Sequence, residues 1–202
     1  AHAAVEEARD RIAKMLGCQP QEVVFTSGGT EANNYAIKGV AGAYSAQGNH
    51  IITSSVEHPA VIEECRFLEE KGKRVTYLPA DRFGYLDPQQ VSDAITDQTV
   101  LVTVMHANNE VGTLEPTREI AEIAHQRGVL VHADCAQSVG KIPVNVDDLG
   151  VDLLSIAGHK IYAPKGIGAL YVRRGVQIDE LMLGAGQESG RRPGTENVIF
   201  SV

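Results

Sequence analysis

The sequence predicts an α/β fold, a mostly parallel seven-stranded sheet with helices on both faces in a three-layer α/β/α arrangement. Three observations carry this. Segments with apolar residues at helical spacing alternate with short apolar runs along the whole chain. The runs read as apolar on both faces, as strands do when helices cover both sides of a sheet. Glycine and proline punctuate the boundaries. With 202 residues the chain is long enough for one sizeable domain with its own core, taken as residues 1–202.

Element by element, Val5, Ala8, Ile12 and Leu16 recur at helical spacing and Gly17 closes that helix. Glu22 to Thr26 reads as a strand. A tight glycine turn, Ser27-Gly28-Gly29-Thr30, leads into a helix from Glu31 to about Tyr44. His50 to Ser54 is a strand, Pro59 to Lys71 a helix, and Arg74 to Leu78 another strand. Pro88 to Ile95 is a short helix that Asp87 is suited to cap. Val100 to Met105 is a continuous strand, and Pro116 to Arg127 a helix ended by Gly128. Leu130 to Ala133 is a strand running into Asp134, and Val151 to Ala157 a buried strand leading to Lys160. Ile167 to Val172 is one more, expected as a hairpin partner near the sheet edge. Gly184 to Gly194 is a glycine- and arginine-rich loop, too polar and irregular for core. No internal repeat or linker is visible. The chain begins inside a helix without a methionine and ends at Ser201-Val202 without a stop signal, so a fragment is expected.

Composition narrows the function. Hydrophobic residues make up 43% and charged residues 22%, ordinary for a soluble globular protein. A formal net charge of −8 argues against a nucleic-acid binder but leaves room for a local basic patch, for which Arg191-Arg192 is one candidate. No apolar run is long enough to span a membrane, and the first 17 residues form a charged amphipathic helix rather than a signal peptide. The three cysteines, Cys18, Cys65 and Cys135, make no CxxC pair or disulfide framework, so a reducing, cytoplasmic compartment is expected. None has flanking basic residues to lower its pKa, and all three read as small core or interface residues. Seven histidines show no metal-ligand spacing, and no GxSxG elbow is present.

In such a sheet a ligand sits at the carboxyl ends of the strands, where this chain's unusual residues cluster. Ser27-Gly28-Gly29-Thr30 has the glycines and helix-start N–H groups of a phosphate cradle, and serves equally as a plain β-to-α turn capped by Thr30. It is neither a GxGxxG nor a Walker A loop. His58 is placed to stack on a planar ring or move protons, or simply to start a helix in solvent. Asn108-Asn109-Glu110 offers hydrogen bonds to a phenolic oxygen, or a turn. Asp134, an acid ending an apolar strand, either needs a cationic partner such as a pyridinium or caps a helix. Gln137 either contacts a ring oxygen or is a surface amide.

Taken together, and in order, Phe25-Thr-Ser-Gly-Gly-Thr-Glu-Ala-Asn-Asn34, Ser55-Val-Glu-His58, His106-Ala-Asn-Asn-Glu-Val-Gly112, His132-Ala-Asp-Cys-Ala-Gln-Ser138, Gly158-His-Lys-Ile-Tyr162 and Arg191-Arg-Pro-Gly-Thr-Glu-Asn197 resemble the cysteine desulfurase (NifS/IscS-like) family. That family belongs to the class V aminotransferase group of fold-type I pyridoxal-phosphate (PLP) enzymes. The resemblance covers essentially the whole chain, and the Arg-Arg-Pro-Gly-Thr-Glu-Asn stretch is closer to the NifS/IscS branch than to the SufS-like one.

The resemblance implies roles. Lys160 would be the Schiff-base lysine, and Asp134 would pair with the pyridinium nitrogen. His58 would stack on the ring and move protons. Asn109 and Gln137 would sit near the ring hydroxyl, and Gly29, Thr30 and His159 would hold the phosphate. Thr195 would reach the phosphate of a neighbouring subunit, implying a homodimer with shared sites. The activity implied is conversion of L-cysteine to L-alanine and an enzyme persulfide, with an iron–sulfur scaffold or other acceptor protein taking the sulfur. One departure is Ala157, where the family often has a serine whose hydroxyl binds phosphate; one hydrogen bond of roughly 0.5–1.5 kcal/mol is expected to be lost, not the site. The family's N-terminal segment and C-terminal small domain, with the nucleophilic cysteine and the carboxylate-binding arginine, have no counterpart among these residues. Selenocysteine lyase shares the motifs, and a truncated, non-catalytic dimerisation module is the reading of a different class.

Overall fold

A computed structural model describes residues 2–202. Helix α1 spans His2–Leu16, α2 Gly29–Ala43, α3 Pro59–Glu70, α4 Pro88–Ala94, α5 Thr117–His125, α6 Val146–Leu149 and α7 Val198–Ser201. The strands are β1 Val23–Thr26, β2 His50–Ser54, β3 Arg74–Leu78, β4 Thr99–Met105, β5 Leu130–Asp134, β6 Leu153–Ala157 and β7 Gly168–Val172. They form one sheet in the order β1-β7-β6-β5-β4-β2-β3, in which β7 alone runs antiparallel to its neighbours.

Alternation along the strands divides the core into two layers. Val24, Ile51, Leu153 and Leu170 face α2 and α3, while Val23, Ile52, Leu154 and Ala169 face the opposite layer with α1, α5 and α6. Each large aliphatic side chain buried in these layers contributes about 1.5–3 kcal/mol. Local signals set the helix starts. Asp87 caps α4 by accepting from Gln89 N–H at 2.9 Å, and Asn145 caps α6 by accepting from Asp147 N–H at 2.8 Å.

Several expectations shift. β7 keeps its expected place near the sheet edge, antiparallel to β6, but β1 pairs outside it and forms the edge itself. Glu22 belongs to a 3₁₀ turn, where its side chain accepts from Gln19 N–H at 2.8 Å, so β1 starts one residue later. β6 begins at Leu153 because the Asp152 carboxylate takes the Val131 N–H at 2.8 Å in place of a ladder carbonyl. The Gly184–Gly194 loop is fastened to the core rather than merely solvated. Glu188, 7% exposed, receives Arg9 Nη1 at 2.6 Å, Arg9 Nη2 at 2.9 Å and Phe25 N–H at 2.9 Å. Cys65 and Cys135 are fully buried, Cys18 is partly so, and all three thiols are free. Among the described residues no helix is long and apolar enough to cross a membrane.

The chain runs outward from β2 to β3, then returns to place β4 on β2's other side. This reversal opens a crevice at the carboxyl ends of β2 and β4.

Candidate active site

A cavity of about 370 Å³ opens at the carboxyl ends of the strands. The turn after β1 supplies Gly29 and Thr30, β2 supplies His58, β4 supplies Asn109, β5 supplies Asp134 and Gln137, and β6 supplies His159 and Lys160. These eight of the nine residues expected from sequence line one space. The ninth, Thr195, lies outside it, in a smaller cleft of about 180 Å³ with Phe25, Ser27 and Arg192.

Asp134 is the most buried of the charged residues lining the cavity, only 6% exposed. Its Oδ1 accepts from Ala136 N–H at 2.9 Å and its Oδ2 from Asn33 Nδ2 at 2.7 Å. Burial holds its carboxyl above the ordinary range, opposed by these two hydrogen bonds and by His58. Such a carboxylate gains strongly from a cation brought into the cavity. Asp134 caps no helix, since the residues after it form turns. Beneath it, His132 bridges Thr103 Oγ1 and Ser155 Oγ, each at 2.8 Å, and burial pushes its pKa down to about 3, leaving a neutral brace.

At the cavity rim, His58 is exposed and starts a helix, the second of its two readings. Its Nδ1 accepts from Ala60 N–H at 3.1 Å, capping α3, so the ring proton sits on Nε2. Asn108 makes the turn, accepting Glu110 and Val111 N–H on Oδ1, and so presents Asn109 to the cavity. Lys141 Nζ donates to Gln137 Oε1 at 2.8 Å, leaving the Gln137 NH₂ as a donor. Lys160 ends a 3₁₀ turn following β6, its side chain exposed at the cavity.

Two buried residues had no role assigned from sequence. Asn33 is 2% exposed, and its Oδ1 faces no partner. Glu57 crosses the reversal point: its Oε1 accepts from Ser54 Oγ at 2.5 Å and from Met105 N–H at 3.0 Å, joining β2 to β4 below His58. Burial pushes its carboxyl up to about 8, and its Oε2 has no partner. Position in a β-to-α connection is the one sequence signal for Glu57; Asn33 lies inside a helix pattern and had none.

The donor set fits pyridoxal phosphate. The first N–H groups of α2 have no acceptor within the helix. Gly28, at φ 154°, has no atom within 4 Å of where a Cβ would stand, and Gly29 packs closely on β6, where a Cβ would crowd Ala157 Cβ at 3.0 Å. That leaves backbone open to a phosphate, opposite an amine and a buried acid suited to a pyridinium. Among the described residues no group of three or more His, Cys, Asp or Glu side chains is placed to hold a metal.

A family model described as aminotransferase class-V matches residues 1–197. Among curated relatives, a protein named cysteine desulfurase IscS from Dictyoglomus turgidum is 57% identical over 195 residues, covering 96% of this chain and 50% of that protein. One of the same name from Methanosarcina thermophila is 50% identical, covering 96% and 48%. The chain thus spans about half the length of the curated relatives it matches. Among solved structures, one described as SspA in complex with cysteine is 45% identical with a TM-score of 0.95, covering 98% of this chain and 58% of that one. A NifS-like protein is 40% identical with a TM-score of 0.96, covering 99% and 55%.

Proposed function

We propose that this chain, which belongs to the aminotransferase class-V family, carries the cofactor site of a PLP-dependent cysteine desulfurase. The observation that carries the reading is the single cavity in which Lys160, the desolvated Asp134 and the Gly29-Thr30 turn converge from separate strand ends. Relatives named cysteine desulfurase and a neighbour described with cysteine support the substrate. The parent enzyme converts L-cysteine to L-alanine and persulfide sulfur, acts as a cytoplasmic homodimer, and passes the sulfur to an iron–sulfur scaffold or another acceptor protein.

Bound pyridoxal phosphate supplies an electron sink for the charge left when a proton leaves the substrate Cα. Lys160 is the amine that would hold it. Asp134 would pair with the ring nitrogen, a charge its burial makes favourable. Gly29 and Thr30 N–H groups, with His159, would bind the phosphate. Gln137 and Asn109 would donate to the ring hydroxyl. His58, whose Nδ1 accepts from Ala60 N–H, would stack on the ring and offer its Nε2 edge for proton transfer with substrate. Thr195, outside this cavity, would serve the partner subunit's phosphate in a homodimer with shared sites.

The three cysteines here are unsuited to take the sulfur. None lines the cavity, and burial pushes Cys18 up to about 11, Cys65 up to about 12 and Cys135 higher. A nucleophile works as thiolate, so it comes from a cysteine other than these.

The test is turnover by the intact protein saturated with pyridoxal phosphate. L-alanine forms from L-cysteine, and Lys160→Ala lowers the rate roughly a thousandfold or more. No alanine from the parent protein, or full activity in the variant, would overturn the reading.

A further inference from the structure

The helix that opens the phosphate cradle carries its own negative charge. Glu31 lies in the first turn of α2 and lines the cavity. Its Oε2 accepts from Ser27 N–H at 2.9 Å, which closes the turn between β1 and α2. A carboxylate there suits the helix dipole, and for the same reason competes with any other anion at that terminus.

Arg192 meets this carboxylate at two points. Its Nε reaches Glu31 Oε1 at 2.7 Å and its Nη2 reaches Oε2 at 3.1 Å. The two side chains are 21% and 13% exposed, so solvent screens the pair only in part. Burial pushes the Glu31 carboxyl up, but the bonds from Arg192 and Ser27 outweigh it and hold the group below the ordinary carboxylate range, ionised at neutral pH. Arg192 stands three residues before Thr195, in the loop that the Arg9–Glu188 pair fastens to the core.

We propose that Arg192 is a positioning residue for the cofactor phosphate: by neutralising Glu31 it frees the N-terminus of α2 for a phosphate dianion, and it ties that terminus to the loop carrying Thr195. This rests on the pyridoxal-phosphate reading of the cavity. The second indication that the cavity takes a ligand is Asn33 Oδ1, a buried polar atom in its lining with no partner. The alternative is a structural ion pair that only holds the loop, and the two differ in how they treat charge. Removing Arg192 alone leaves Glu31 repelling the phosphate, whereas removing both charges restores neutrality.

The experiment is equilibrium titration of the intact apoprotein with pyridoxal phosphate and, separately, with pyridoxal, which lacks the phosphate. Arg192→Gln weakens pyridoxal phosphate binding roughly tenfold or more, as an unneutralised charge beside the phosphate requires in a partly screened site. Glu31→Gln alone binds as tightly as the parent or tighter, and Glu31→Gln added to Arg192→Gln recovers most of the loss. Pyridoxal affinity changes less than about twofold throughout, because the effect is charge on charge. Equal losses in the single and double Arg192 variants, a loss in Glu31→Gln alone, or equal losses for both ligands would overturn the proposal and leave the cofactor reading standing. A parent protein that binds neither ligand would overturn both.

Discussion

Asn33 Nδ2 donates to Asp134 Oδ2 at 2.7 Å, so helix α2, whose first turn lines the cavity, also fixes the acid that lines it. One helix therefore lines the cavity with its first turn and holds the buried acid through its second. Asn33→Ala leaves the Asp134 carboxylate with the Ala136 N–H as its one remaining hydrogen bond. A hydrogen bond to a charged group is worth about 1.5–3 kcal/mol, and that stability is lost at neutral pH. Because the lost bond favours the ionised form, the Asp134 pKa rises further. The acid limb of cofactor affinity against pH then moves to higher pH. An unmoved limb in a titration of the variant would show that Asn33 does not support the acid.

Glu57 predicts a pH dependence of folding. Its folded pKa of about 8 lies above its ordinary 4.5, so the native state binds the extra proton between those values. Stability is then fully present below the ordinary value and falls as pH rises through about 8. The loss amounts to a few kcal/mol, given 1.36 kcal/mol per unit. Glu57→Gln keeps the oxygen that accepts from Ser54 and Met105 and removes the titration. Denaturation midpoints from pH 5 to 9 will fall for the parent protein and flatten for the variant; parallel curves would contradict the assignment.

Ala157 faces the cradle beside Gly29. A serine hydroxyl there would donate to the phosphate, so Ala157→Ser tightens pyridoxal phosphate binding about two- to tenfold, the range of one neutral hydrogen bond. Pyridoxal binding is unchanged. Weaker binding of both ligands would show instead that the contact with Gly29 leaves no room for the hydroxyl.

The sheet was legible because its strands are short apolar runs between helical patterns: β2, β3 and β4 lie within a residue of where periodicity places them. β7 was legible as a partner near the edge, but nothing local in Gly168–Val172 says that β1 will pair outside it. That Lys160, Asp134 and His58 would meet at one cavity was legible because polar residues at successive strand ends have no role in the core. Asn33 was not, since its partner lies 101 residues away and its position reads as one more turn of a helix. Glu188 was hidden for the same reason: the Arg9 that makes its burial tolerable stands 179 residues earlier. Glu57 sat beside a recognised histidine, and only the folded crossing of β2 and β4 gives it a function.

The central claim is that this cavity holds pyridoxal phosphate on Lys160. Borohydride reduction of the intact, cofactor-loaded protein, followed by digestion and mass mapping, tests it directly. One cofactor mass increment is expected, on the peptide containing Lys160. An increment on another lysine, such as the nearby Lys165, or on none, would contradict it.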